Sequence, residues 1–282
     1  MREEDQQVLE ALARAREEHQ ELAGVLDFYR ALATVQFRAK AQLSAYVKVH
    51  DEAAMRQRLE DGMPQLTFGQ LAIDPATLAR LVNDIVDVMV HHNPDWAQTA
   101  ERVEEPAADE LMQLARQAFD GQPQWTQAEH SASGLIALAV ELALIPYLEW
   151  TSEALMPHLD QSLWRRGYCP LCGASPDLAL LDEETGARHL ICCRCSSQWR
   201  YARLECPFCE TTDHTNLQYY LSDDKVYRLY VCHNCKQYIK TVDLRQARKR
   251  VFAPVERIVT VAMDMAAQEM GFAASQCPSA TA

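Results

Sequence analysis

The sequence predicts an α+β protein of several domains: an all-helical N-terminal domain, two small β modules in tandem, and a C-terminal helix. Three observations predict it. Charge divides the 282 residues unevenly: residues 1–160 carry 12 Lys+Arg and 27 Asp+Glu, a net of −15, while residues 161–282 carry 15 and 13, a net of +2. All ten cysteines lie in the second part. Apolar residues recur at helical spacing in the first part, whereas the second alternates cysteine pairs with short strand-like runs. The segments expected are an acidic helical domain at 1–163, a first module at 164–203, a second at 204–245, and a C-terminal helix and tail at 246–282.

The helical elements follow from local signals. Leu22, Val25, Leu26, Tyr29 and Leu32 would form one apolar stripe. Asp74 followed by Pro75 reads as an N-cap with proline at the first helical position. Leu78, Leu81, Val82, Ile85 and Met89 supply the buried face of that helix. Glu101 to Glu105, closed by Pro106, reads as a helix end and linker. Thr126 and Glu129 fit a capping box before a helix through Leu135, Ala139 and Leu142, which Pro146 should kink or end. The apolar run Leu135 to Leu148, broken by Glu141 and Pro146, falls short of the ~20 residues that span a bilayer. His91 and His92 are neighbours on a helix and point in different directions, so a polar helix end is expected there rather than a metal pair. A last helix is expected from Pro254 to Met270, with Val255, Ile258, Val259, Ala262 and Met265 on one face and Gly271 as C-cap. The tail beyond it, with Ser275, Pro278 and Ser279, is expected to be disordered.

Four Cys-x-x-Cys knuckles carry the chemistry: Cys169/Cys172, Cys192/Cys195, Cys206/Cys209 and Cys232/Cys235. Two such pairs separated by about 15–20 residues have the spacing of a four-thiolate metal site. The first two are separated by 19 residues and the last two by 22. Two residues between cysteines let the chain turn tightly enough for both sulfurs to meet one ion. Gly173 suits the left-handed exit of such a turn; the other three knuckles lack that glycine. Between knuckles, Leu178–Leu181 with Arg188–Ile191, and Leu217–Leu221 with Val226–Val231, read as hairpins.

The region is an internal duplication. Cys169 and Cys172 recur 37 residues later, and Cys192 and Cys195 recur 40 later, with Trp199 and Tyr238 just past the last ligand of each unit. The repeat favours pairing of neighbouring knuckles over an interleaved cross-brace. Modules this small bury too little apolar area to fold unaided, and a structural metal contributes about 10–16 kcal/mol in such cases. Four thiolates suit zinc or a single rubredoxin-type iron equally well. Cys193 stands as an alternative ligand to Cys192, and His214 and His233 lie close enough in sequence to substitute. Cys277 is in the tail.

The runs Cys169-Pro-Leu-Cys-Gly-Ala-Ser-Pro176, Cys192-Cys-Arg-Cys-Ser-Ser-Gln-Trp199, Cys206-Pro-Phe-Cys209 and Cys232-His-Asn-Cys-Lys-Gln-Tyr-Ile-Lys240 resemble the FdhE family, the formate dehydrogenase accessory proteins. The resemblance covers residues 164–245. It implies a cytoplasmic maturation factor that associates with the formate dehydrogenase catalytic subunit and is not itself an enzyme. It also implies two rubredoxin-like (zinc-ribbon) modules, each holding one iron through four cysteines, with zinc as the alternative occupant. The eight cysteines of the four knuckles would be the ligands.

Three functions compete. The acidic half would steer a maturation factor toward a basic patch on its client. A zinc-ribbon nucleic-acid-binding protein is the alternative, on the basic cluster Arg245, Arg248, Lys249 and Arg250 and on Tyr219, Tyr220, Tyr227 and Tyr230 as stacking platforms; the net charge of −13 opposes it. An enzyme is disfavoured, because closed four-thiolate sites leave no open position and no catalytic constellation stands out. With no apolar leader after Met-Arg-Glu-Glu-Asp and no membrane span, a cytoplasmic location is expected.

Overall fold

The computed structural model describes residues 1–43, 51–100, 106–121 and 131–275. The chain forms two compact units: Met1–Lys48 with Thr67–Ala154, and Val49–Leu66 with Leu155–Ala282. The cysteine-bearing unit therefore includes a segment from far upstream.

The first unit is helical. Its elements are α1 (Glu3–Glu18), α2 (Ala23–Gln42), α4 (Pro75–His92), α5 (Pro94–Ala100), α6 (Ala108–Phe119) and α7 (Ala132–Leu155); α3 (Glu52–Glu60) belongs to the other unit. Asp74 caps α4 as expected, accepting the Thr77 N–H at 2.8 Å, and the five apolar residues of its predicted face are buried. The stripe on α2 is rotated from the expected one. Leu26 and Leu32 are buried, but Val25 and Tyr29 are exposed, and the inward face continues through Ala33, Phe37 and Lys40. Lys40 is buried because three acids meet it: Asp5 at 3.3 Å, Glu149 at 2.9 Å and Glu153 at 3.2 Å. His91 and His92 end α4, where the His92 ring packs edge-on against Phe28.

Pro146 does not end α7, which continues to Leu155. A proline removes the N–H that would bond the carbonyl four residues back. That carbonyl, on Leu142, instead accepts from Gln36 Nε2 of α2 at 2.9 Å. The continuation makes the 132–158 helix long and apolar enough to cross a membrane by length and composition, although 61% of its most apolar window is buried in the fold. The capping box at Thr126 and Glu129, the linker at 101–105, and Cys277, Pro278 and Ser279 lie outside the described residues.

The second unit is built on one six-stranded sheet ordered β3-β2-β1-β6-β5-β4. Its strands are β1 (Pro176–Leu181), β2 (Arg188–Cys192), β3 (Gln198–Tyr201), β4 (Leu217–Leu221), β5 (Tyr227–Cys232) and β6 (Tyr238–Asp243). Both hairpins form, and each gains a third strand after its second knuckle. The two three-stranded modules join head to tail through parallel pairing of β1 with β6, Leu178 opposite Lys240 and Leu181 opposite Asp243. The registers superpose with a uniform offset of forty: Leu190 faces Ala179 and Trp199, and Tyr230 faces Tyr219 and Ile239. Trp199 thus corresponds to Ile239 rather than to Tyr238.

The expected single C-terminal helix is two, α8 (Ala253–Val259) and α9 (Val261–Glu269). The break falls in the β-branched run Ile258-Val259-Thr260-Val261, which is poor in helix propensity. The Thr260 hydroxyl also bonds the Glu256 carbonyl at 2.5 Å. Gly271 adopts φ +83°, and α9 packs with Ala267 and Phe272 on Leu229, Val231 and Tyr238.

Candidate metal centres

All four knuckles share one closing backbone bond, and three of them share a second. The first cysteine donates its N–H to the carbonyl five residues on: Cys169 to Ala174, Cys192 to Ser197, Cys206 to Thr211 and Cys232 to Gln237, all at 2.9–3.0 Å. The residue after the second cysteine donates back to the first, as for Gly173 to Cys169, Glu210 to Cys206 and Lys236 to Cys232. That exit residue has positive φ in all four: Gly173 (+77°), Ser196 (+56°), Glu210 (+56°) and Lys236 (+59°). The missing glycines change the cost of the turn and not its shape.

Neighbouring knuckles meet. Cys169, Cys172, Cys192 and Cys195 form one group, and Cys206, Cys209, Cys232 and Cys235 another, each with all sulfurs within 4.8 Å of one another. Closest Sγ–Sγ separations are 3.3 Å (Cys172–Cys192) and 3.6 Å (Cys169–Cys195, Cys172–Cys195) in the first. In the second, Cys206–Cys235 and Cys209–Cys232 are both 3.7 Å. Sulfurs at ~2.3 Å from a tetrahedral ion stand ~3.8 Å apart, whereas a disulfide needs ~2.05 Å. Both groups therefore fit a mononuclear ion and do not fit cystines. Backbone N–H groups point at the sulfurs, Leu171 at Cys169 and Arg194 at Cys192, both 3.4 Å, and Asn234 Nδ2 lies 3.4 Å from Cys209. Such donors offset thiolate charge around a metal.

Two of the alternative ligands, Cys193 and His233, are engaged elsewhere. Cys193 is taken up in a disulfide. His233 bonds Gln218 through Nε2 at 3.1 Å and packs on Phe272. Among the described residues no other group of three or more metal-ligating side chains converges, and His91 and His92 are the last two residues of α4. Of the residues proposed for nucleic acid, Arg245 is paired with Asp243, Tyr227 donates its hydroxyl to Glu256, and Tyr230 stacks on Tyr219.

The surroundings differ between the groups. All four cysteines of the first are buried, while Cys209 and Cys235 of the second are half-buried. The first is covered by the upstream strap. Gln65 and Leu66 donate their N–H groups to the Pro170 and Leu171 carbonyls at 3.0 and 2.8 Å, inside the first knuckle. The Tyr168 hydroxyl donates to the Gly62 carbonyl at 2.7 Å. On the other side Arg257 of α8 holds Asp177 at 2.6 Å and the Cys192 carbonyl at 2.8 Å. Burial pushes Cys169 and Cys192 well above the usual thiol range, so they need a cation to ionise. In the second group burial also raises Cys206, and raises Cys235 to about 11. At Cys209 burial is outweighed by the Asn234 amide, the Thr211 N–H and the neighbouring sulfurs, which bring its thiol down to about 7. Sequence reasoning missed the strap and Arg257, because neither contact leaves a local spacing signal.

A helical unit followed by a sheet that presents two four-cysteine groups able to hold metal ions defines a protein with two candidate metal centres. The comparisons with known proteins agree. The family model for the central domain of FdhE matches residues 168–203, the first module. The FdhE homologue of Aquifex aeolicus is 26% identical over 229 residues, covering 79% of this chain and 76% of its own length. That of Pseudomonas aeruginosa is 28% identical over 242 residues, covering 79% and 72%. The crystal structure of the FdhE protein from Pseudomonas aeruginosa shares the fold with a TM-score of 0.66 at 22% identity, over 96% of this chain and 92% of that one. The chain is thus similar to FdhE proteins in its first cysteine module, over most of its sequence and in its fold.

Proposed function

We propose that this chain is a cytoplasmic accessory protein for formate dehydrogenase maturation that binds the catalytic subunit and carries one iron in each four-cysteine group. The eight cysteines named above are its metal ligands, within modules at 164–203 and 204–245. The observation that supports this reading most is the pair of sulfur quartets at tetrahedral spacing, in a chain similar to FdhE proteins. Four thiolates around iron supply one-electron chemistry without an open coordination position, and around zinc they supply only structure. The chain's own residues fix how that chemistry is presented. The strap at 62–66 and Arg257 bury the first quartet. Cys209 and Cys235 bring the second to the surface, within reach of a partner. The absence of an open ligand position favours a non-enzymatic role, with the acidic helical unit as the docking face for a basic client surface.

The test is anaerobic purification from iron-replete cells, followed by metal analysis, an optical spectrum, and capture of the catalytic subunit. The expected result is a reddish protein with ferric-thiolate absorption that retains the catalytic subunit. A colourless protein with stoichiometric zinc would remove the iron assignment, and failure to retain the subunit would remove the partner.

A further inference from the structure

Beside the second quartet lies a cavity of about 480 Å³ that the metal reading does not use. Its walls are largely carbon, with Phe208, Leu217, Tyr230 and Ile239 among them, and its cationic residues include Arg188 and Arg203. The internal repeat shows what is unusual here. In the forty-residue register, Arg188 at the start of β2 corresponds to Arg228 at the same place in β5. Arg228 is answered by the fully buried carboxylate of Asp243 at 2.6 Å. Forty residues before Asp243 stands Arg203, so the first module has a second cation where the second has its acid.

Arg188 is only 2% exposed, and among the described residues no carboxylate lies within ion-pair distance of it. Its Nη2 donates to the Ala202 and Glu205 carbonyls, its guanidinium lies over the Tyr201 ring, and its Nε has no acceptor. Glu205 and the Cys206 sulfur favour the cation from beyond ion-pair distance, and Glu205 already accepts from the Tyr201 hydroxyl at 2.9 Å. A buried guanidinium stays charged and is costly without a counter-charge. A cavity of this size suits a small ligand, and carbon walls with a few placed polar groups suit one that is mostly apolar.

We propose that this cavity binds a carboxylate carried on an apolar body, either a free acid or the C-terminal end of a peptide, with Arg188 as its anion partner and Arg203 beside it. The carboxylate takes the place that Asp243 fills in the second module. The proposal stands on the cavity and the repeat and is independent of which metal the quartets hold.

The test is calorimetric titration of the metal-loaded full chain with 3-phenylpropionate and with acetyl-Leu-Phe free acid, each against its amide. At least one acid should saturate with one site per chain, and its amide should bind at least tenfold more weakly. Arg188→Gln should weaken the acid at least tenfold with metal content unchanged. Arg203→Asp places at this position the residue the second module has at 243; it should abolish acid binding and raise the melting temperature. Should Arg188→Gln fail to fold, Arg203→Asp decides. Failure of both acids to saturate, equal binding of acid and amide, or acid binding unchanged in Arg203→Asp would overturn the proposal. So would an Arg188→Gln protein that loses metal from the second quartet while the parent binds neither acid, which would assign the guanidinium to the sulfurs instead.

Discussion

The two modules share a strand register, a knuckle geometry and a ligand set, yet one quartet is enclosed and the other is half open. The difference comes from outside the repeat. The first module acquires a strap from residues 62–66 and a clamp from Arg257, both on the first two knuckles. The second is braced along its strands by the C-terminal helices and at its last knuckle by Ala273, which exchanges backbone bonds with Lys236 and Tyr238, and Cys209 and Cys235 are left half-buried. Duplication supplied two equal metal folds, and distant segments made them unequal. The enclosed one suits holding the fold, and the open one suits meeting a partner.

The joint between the modules is the place where a single atom should break the comparison most severely. A Cβ on Gly167 would lie 1.7 Å from the Pro207 carbonyl oxygen. That is backbone against backbone, with no flexible side chain to yield. Gly167→Ala should therefore cost about 3 kcal/mol or more, at the upper end for single substitutions, and separate the unfolding of the two modules. Chemical denaturation followed by tryptophan fluorescence and, in parallel, by release of metal from each quartet would reveal it. A variant with wild-type midpoint would show that the contact is not rigid.

Asp243 is the next lever, since only the second module has it. Arg245 and Arg228 hold its carboxyl down at about 2. A depressed folded-state value gives stability that is complete above the ordinary carboxylate range near 4 and is lost as pH falls through about 2. The acid is fully buried, so Asp243→Asn leaves Arg228 without its counter-charge and should cost about 3 kcal/mol at neutral pH. It should also flatten the acid limb of the stability profile. An unaltered acid limb would count against this ion pair as its source.

The smallest effects test the knuckle exits. Glu210 is exposed with φ +56°, a backbone that costs an L-residue about 1 kcal/mol. Glu210→Gly should stabilise by about 0.5–1 kcal/mol after the added chain entropy of glycine. Gly173→Ala should destabilise by about 1–2 kcal/mol, since the same turn at φ +77° also places a Cβ 3.0 Å from Pro64 of the strap. Opposite signs in thermal unfolding are the expected outcome; equal signs would deny that the four turns are equivalent.

What the sequence reveals here is what spacing encodes. Eight cysteines, two hairpins, the Asp74 cap and the inward face of α4 are all local patterns, and each is legible within a window of about twenty residues. The third strands, Gln198–Tyr201 and Tyr238–Asp243, hide behind the knuckles that precede them. They are short, and β6 is buried along its whole length and therefore lacks alternation. The parallel β1–β6 joint, the strap and Arg257 pair residues roughly 60 to 110 apart, and no period marks them. Pro146 misleads for the same reason: its consequence depends on Gln36, which sits on another helix.

The most direct test of the account is a chelator challenge of the metal-loaded chain, read as ions released per chain over time, with Cys169→Ser and Cys206→Ser alongside. Two ions are expected, one released fast from the open quartet and one slowly from the enclosed one. Cys206→Ser should lack the fast phase, and Cys169→Ser the slow one. Fewer than two ions in the parent protein, or one phase that either serine removes alike, would contradict two independent and unequal sulfur centres.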